Sequence, residues 1–221
     1  MSRRQGSRRR IALRGILLAS VGILAACAPP FRAPVPLRPP PDSPRGEAEA
    51  MGLVIRATVL ADEEAQLELF RANLILAGLL PLHLEMVNRG DTPIEVHRAR
   101  IEAWDERGER LLVRTPRQAL RQLFEYYEVT AYRIASRQDL ERAFANIAFA
   151  FTPALAPGET RRGMLFLALP EEPGPRQPPE RLTLTITARR HGHPMRSPDR
   201  VGTPRTRSSE TFALTLRIAR P

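Results

Sequence analysis

Apolar and polar residues alternate along one segment of this chain after another, and a period of two restricts those segments to β-strands. The clearest case is Leu182, Leu184, Ile186 and Ala188, interleaved with Thr183, Thr185 and Thr187. Leu53, Ile55, Ala57 and Val59 repeat the pattern, as do Leu80, Leu82, Leu84 and Met86, and finally Phe212, Leu214, Leu216 and Ile218. Residues 94–104 also read as a strand, with a bulge near His97-Arg98 where the alternation slips by one. Residues 164–169 are apolar throughout, as expected of a central strand covered on both faces. Turn residues separate these runs at 88–93, 105–108 and 155–160. The expectation is a mainly β, antiparallel fold built from hairpins.

Two stretches break the pattern with a helical period. Asp62 is placed to cap a short helix with the stripe Ala65, Leu69, Phe70, Asn73 and Leu74, and Gly78 stands at its expected stop. Thr115-Pro116-Arg117-Gln118 has the spacing of a capping box with proline at the first helical position. Leu120, Leu123, Phe124, Tyr127, Ala131 and Ile134 follow at helical spacing. Ser136 begins a second cap-like run, followed by Leu140, Ala143, Phe144, Ile147 and Phe151. Two helices are therefore expected as an insertion at 115–151, inside a domain spanning 51–221.

The N-terminus carries an address. Six arginines and no acidic residue precede a twelve-residue apolar stretch at 15–26. That stretch is shorter than the roughly 20 residues a bilayer-spanning helix needs, so it reads as a signal peptide. It closes on Leu24-Ala25-Ala26-Cys27, which resembles a bacterial lipobox, with cleavage between Ala26 and Cys27. In such proteins the cysteine thiol receives a diacylglyceryl group and the new amine is acylated. At about 0.8 kcal/mol per buried methylene, two or three acyl chains hold almost permanently. Ser7-Arg8-Arg9-Arg10-Ile11 also resembles a twin-arginine export signal, and both export routes stay open. By resemblance to enteric lipoproteins, Ala28, a residue other than Asp after the cysteine, permits sorting to the periplasmic face of the outer membrane. Residues 27–50 are rich in proline and read as an extended, semi-rigid tether.

Composition narrows the rest. Cys27 is the only cysteine, so neither a disulfide nor a cysteine-based metal site is available to the domain. All 34 basic residues are arginine, and six of them lie within the signal, which lowers the formal charge of the remainder from +10 to +4. Nucleic acid is not an expected partner of an exported chain. About 170 residues after the tether suffice for one well-buried domain.

Two segments carry a family likeness: LPLHLEMVNRGDTPIEV at 80–96 and LAPGETRRGMLFLAL at 155–169, the latter followed by the Thr-alternating strand. Together they resemble the immunoglobulin-like β-sandwich of small uncharacterised bacterial lipoproteins, over about 80–108 and 152–219. The resemblance implies an immunoglobulin-like antiparallel β-sandwich in which Asn88 and Gly158 serve turns. The helical insertion departs from a bare sandwich.

Candidate sites are sparse. His191, Gly192, His193, Pro194 and Met195 bring two imidazoles and a thioether together, ligands that suit copper. His83 and His97 fall on consecutive strands and would be cross-strand neighbours if those strands pair. Glu63, Glu64 and Glu68 share a short helix, where they favour its N-terminus. Tyr126, Tyr127 and Tyr132 are all the tyrosines in the chain; at helical spacing such aromatics usually pack a core, and the other reading is that with Trp104 they form a partner surface. No nucleophile elbow, zinc-protease motif, phosphate loop or dinucleotide fingerprint occurs, and no cofactor is implied. The expected function is a non-enzymatic envelope lipoprotein. It would bind or scaffold another envelope protein while held to the membrane by its N-terminal lipid. A carrier or sensor of a small apolar ligand, held between helices and sheet, is the alternative, and copper handling is a third.

Overall fold

The alternating segments form strands whose apolar side faces a common interior. The computed structural model describes residues 31 and 32, 38–129, 134–171, 176–191 and 209–219. Among them are β1 (Arg45–Ala50), β2 (Leu53–Val59), β3 (Leu79–Asn88), β4 (Ile94–Trp104), β5 (Arg110–Arg114), β6 (Thr160–Ala168), β7 (Arg181–His191) and β8 (Ser209–Ala219). The helices are α1 (Glu63–Phe70), α2 (Pro116–Tyr126) and α3 (Ile134–Ile147). Every strand pairing is antiparallel, in the order β1-β2-β3-β6-β5-β4-β7-β8. The edge strands β1 and β8 lie beside each other, so the sheet curls into a nearly closed barrel.

Mainly β with an inserted helix pair is thus the architecture, and the strands form one nearly barrel-shaped sheet. The reason lies in β5. Its first half pairs with β4 (Ala103 opposite Leu111) and its second half with β6 (Val113 opposite Leu167). A strand that turns a corner this way joins both halves into one sheet.

The inward residues match the sequence pattern. Leu53, Ile55, Ala57, Leu80, Leu82, Leu84, Met86, Leu182, Leu184, Ile186 and Ala188 are all buried in one cluster that fills the barrel. Residues 164–169 are apolar on both sides for a reason the fold makes plain. Leu165 and Leu167 point into the barrel, while Met164 and Phe166 point outward under the helices. Phe70, Ala119, Leu120, Leu123, Phe124, Leu140, Phe144 and Ile147 cover that outer face and form a second core.

Several expectations are corrected. The strand β3 pairs with β2 and β6, not with β4, so the turn at 88–93 is a crossover and not a hairpin. The bulge in β4 is larger than one residue: Val96 faces Ala188 and Ile101 faces Ile186, which leaves residues 97–100 opposite Thr187 alone. Asn88 serves its turn as expected, but without a positive φ. It works through a buried side chain whose Nδ2 donates to the carbonyls of Thr92 (2.8 Å) and Leu155 (3.0 Å). Gly158 does turn with φ near +74°, and Glu159 closes that turn by accepting from the Ala156 N–H at 2.8 Å.

Helix α1 stops at Phe70, eight residues before the expected glycine. The N-cap is as expected, with Asp62 accepting from the Ala65 N–H at 2.8 Å. The early stop follows from Gln66, which is fully buried. It donates to the Leu60 carbonyl (2.7 Å) and accepts from the Leu74 (2.7 Å) and Ile75 (3.3 Å) N–H groups, satisfying backbone that further helix would have paired. Helix α2 opens with the expected capping box, Gln118 N–H to Thr115 at 3.1 Å and Thr115 N–H to the Gln118 side chain at 2.8 Å. Helix α3 begins at Ile134, so Ser136 falls inside its first turn instead of capping it.

The folded unit also reaches further back than residue 51. Strand β1 pairs with β2 through a two-residue turn in which Met51 (φ 49°) and Gly52 (φ 76°) are both left-handed, the conformation that matches strand twist. Earlier still, Phe31 is 2 % exposed within the second core. Burying such a ring is worth about 1.5–3 kcal/mol.

Gly163 makes room for a crossing. The Phe149 N–H donates to the Met164 carbonyl at 2.9 Å, and Ala148 bridges β6 in parallel. A Cβ on Gly163 would fall on backbone atoms of Ala148 and Phe149. Gly163→Ala is therefore expected to cost about 1–3 kcal/mol, read as a lower midpoint in urea unfolding. An unchanged midpoint contradicts the crossing.

Candidate functional site

Among the described residues, the strongest concentration of exposed aromatic surface lies where Phe31 enters the fold. Phe31 packs on Phe124 (ring centroids 5.7 Å apart) and on Tyr127 (5.4 Å). Tyr127 in turn meets Tyr126 edge-on at 4.9 Å. These are short steps along one helix end: α2 buries Leu120, Leu123 and Phe124 on one side and turns its last residues outward. Tyr126 is 44 % and Tyr127 38 % exposed.

The cluster is tied to α1 by backbone chemistry. The Tyr127 hydroxyl accepts from the Asn73 N–H at 3.1 Å and donates to the Asn73 carbonyl at 3.2 Å. Burial raises its pKa, with a smaller opposing pull from the Asn73 bond, so it stays a neutral phenol. Arg32 donates through its backbone to Phe70 (2.9 Å) and through its guanidinium to the carbonyls of Leu69 (3.1 Å) and Glu68. Those carbonyls are the unpaired end of α1, and a cation there also suits the helix dipole. Arg137 covers the far side of Phe124 at 5.2 Å.

The other sequence candidates are not brought together. His83 and His97 lie on strands separated by β6 and β5. Burial pushes His83 below its ordinary 6.5, with Glu85 pulling the other way and Arg162 adding to the fall. His97 is exposed, 3.7 Å from Glu95. His191 ends β7, and His193 and Met195 lie outside the described residues, as do Ala26, Cys27 and Tyr132. No group of three His, Cys, Asp or Glu side chains able to hold a metal occurs among the described residues. Glu63 and Glu64 occupy the first turn of α1, exposed, where carboxylates favour a helix N-terminus. Between helices and sheet, where the alternative reading would place a ligand cavity, the rings of Phe70, Phe144 and Phe166 pack with centroids 6.3 and 5.8 Å apart. One open polar cleft lies beside α2, lined by Arg114, Gln118, Arg121, Gln122 and Arg176.

Across the barrel wall that the helices leave bare runs a row of alternating charge. Glu47, Arg56, Glu85 and Arg162 are successive partners in β1, β2, β3 and β6. Glu47 to Arg56 is 2.6 Å and Arg56 to Glu85 2.7 Å, and Arg162 contacts the second Glu85 oxygen. The sequence holds a signal for this row, charge at the outward positions of alternating strands, but only the register aligns it. Burial works to raise the Glu85 pKa, and the hydrogen bonds and charges of Arg162 and Arg56 outweigh it and hold the carboxyl below its ordinary 4.5.

Comparison with family models, curated proteins and solved structures returns no match.

Two outcomes follow. Because Glu85 has a depressed folded pKa, its stabilising contribution is present above pH 4.5 and is lost as pH falls through the folded value. The Glu85→Gln variant should therefore lose less stability than the parent between neutral pH and pH 3, as read by thermal melts across that window. Tyr127→Phe should cost about 1 kcal/mol through the lost Asn73 bonds, whereas Tyr126→Ser should fall within about 0.5 kcal/mol of the parent, both in urea unfolding.

Proposed function

We propose that this chain is a membrane-anchored envelope lipoprotein that acts as a non-enzymatic binding or scaffolding module. Cys27 would carry the lipid and Ala26 would mark the cleavage point, on the periplasmic face of the outer membrane. The observation that carries the reading is the run Leu24-Ala25-Ala26-Cys27, placed after an arginine-rich start and an apolar stretch and holding the only cysteine of the chain. The exposed tyrosine pair at the end of α2 supports the insertion as the contact surface. The filled barrel and the ring-packed second core favour contact at a surface over carriage of a ligand inside.

We also place the chain with the immunoglobulin-like lipoproteins it resembles. Strand β5 stitching two facing halves along one corner is compatible with a sandwich of that kind closed toward a barrel. Such a fold does not by itself define an activity.

The anchor is tested by Cys27→Ser. The variant should accumulate as the longer precursor and take up no labelled palmitate. Maturation and membrane fractionation identical to the parent would overturn the lipidation. Crosslinking of the mature parent in the envelope then identifies what the insertion touches.

A further inference from the structure

We propose that the surface carrying Tyr126 and Tyr127 docks on the phospholipid surface that holds the Cys27 anchor. This rests on the anchor proposed above and names the partner of that same contact surface.

The argument begins with the length of chain between anchor and fold. Three residues, 28–30, separate Cys27 from Phe31. At most about 3.6 Å is gained per residue, so the two Cα atoms lie within about 14 Å whatever the path. A folded unit of this length has a radius of gyration of about 16 Å and is about 40 Å across. The connection is therefore much shorter than the body it holds. It cannot reach around the domain, and the face at which Phe31 enters must be the one turned to the bilayer.

Phe31 does not come away cheaply. It is buried, it contacts two rings, and its neighbour Arg32 is bonded to the last carbonyls of α1. The proline-rich stretch is thus pinned close to its start and does not act over its full length as a spacer.

The chemistry of that face suits the headgroup zone. Tyrosine has an apolar ring and a polar tip, and it concentrates at membrane–water interfaces. Tyr126 and Tyr127 present two such rings directly beside Phe31. Leu67, 47 % exposed, sits on the turn of α1 that Arg32 caps. Charge contributes little. The Arg32 guanidinium is engaged with backbone carbonyls, and Glu63 lies near enough to Tyr127 to act on it. Docking is accordingly expected on zwitterionic phosphatidylcholine, with little dependence on salt.

The test uses the mature chain purified from membranes and reconstituted in phosphatidylcholine vesicles with or without bromine on the acyl chains. Trp104 is the only tryptophan, so Trp104→Phe provides a silent background. A reporter is then placed by Tyr126→Trp, and a control by Thr215→Trp on β8, opposite the helix-covered strands in the sheet order. Bromine should quench the reporter at 126 at least about twofold and leave that at 215 nearly unchanged, in low and high salt alike. Mass spectrometry of the N-terminal peptide separates the two ideas. An unlipidated Cys27 overturns both the anchor and the docking. A lipidated Cys27 with an unquenched reporter at 126, or with equal quenching at 126 and 215, overturns the docking alone.

Discussion

Everything in this fold leans on β6. It is the strand at which the interior of the barrel and the core beneath the helices touch, because its side chains are apolar on both faces. Leu165 and Leu167 complete the barrel, and Met164 and Phe166 provide the floor for α2 and α3. Both neighbours depend on the same strand, β3 along its length and β5 along its second half. With Cys27 the only cysteine, no disulfide within the chain can join the two cores, and burial supplies the stability. Gly163 shows how tight the arrangement is, since the chain leaving α3 lies against β6 with no room for one more carbon.

The division of the barrel's outer wall follows from that strand as well. Where β6 and β3 carry apolar residues outward, helices and Phe31 cover them. Further along the same strands, the outward positions are Glu85 and Arg162, and the wall is bare. A cross-strand ion row suits a wet surface. Its members are partly exposed, and their value there is modest because water and salt screen it. Charge thus marks where the helices end, and apolar outward residues mark where they sit.

Local features were legible in the sequence to the degree that they were local. The inward residues of β2, β3 and β7, the capping box of α2 and the cap of α1 each follow from a few neighbouring side chains. Pairing across β3 and β6 did not, because it joins residues about eighty positions apart and no turn announces it. Strand β1 was hidden by composition: Arg45, Glu47 and Glu49 face outward, and no β-branched residue appears among Arg45–Ala50. The end of α1 was hidden by Gln66, whose amide replaces backbone bonds from inside the core, where its helical spacing gives no hint of that use. Half of the candidate site was visible. The tyrosines stand out in composition, but their partner Phe31 lies among prolines that read as a tether.

That last point changes what the proline-rich stretch can do. A stalk works by distance, and distance is set by the first residue that binds the body. Here that residue is Phe31, held by two aromatic neighbours, while Arg32 closes a helix end with hydrogen bonds that neither a lysine nor a shorter side chain could reproduce in the same planar fork. Under the proposed anchor, the lipid chains and the second core become two ends of one short strap. Loosening the core at Phe31 would lengthen the tether, so the stability of that aromatic cluster sets how closely the domain is held to its membrane.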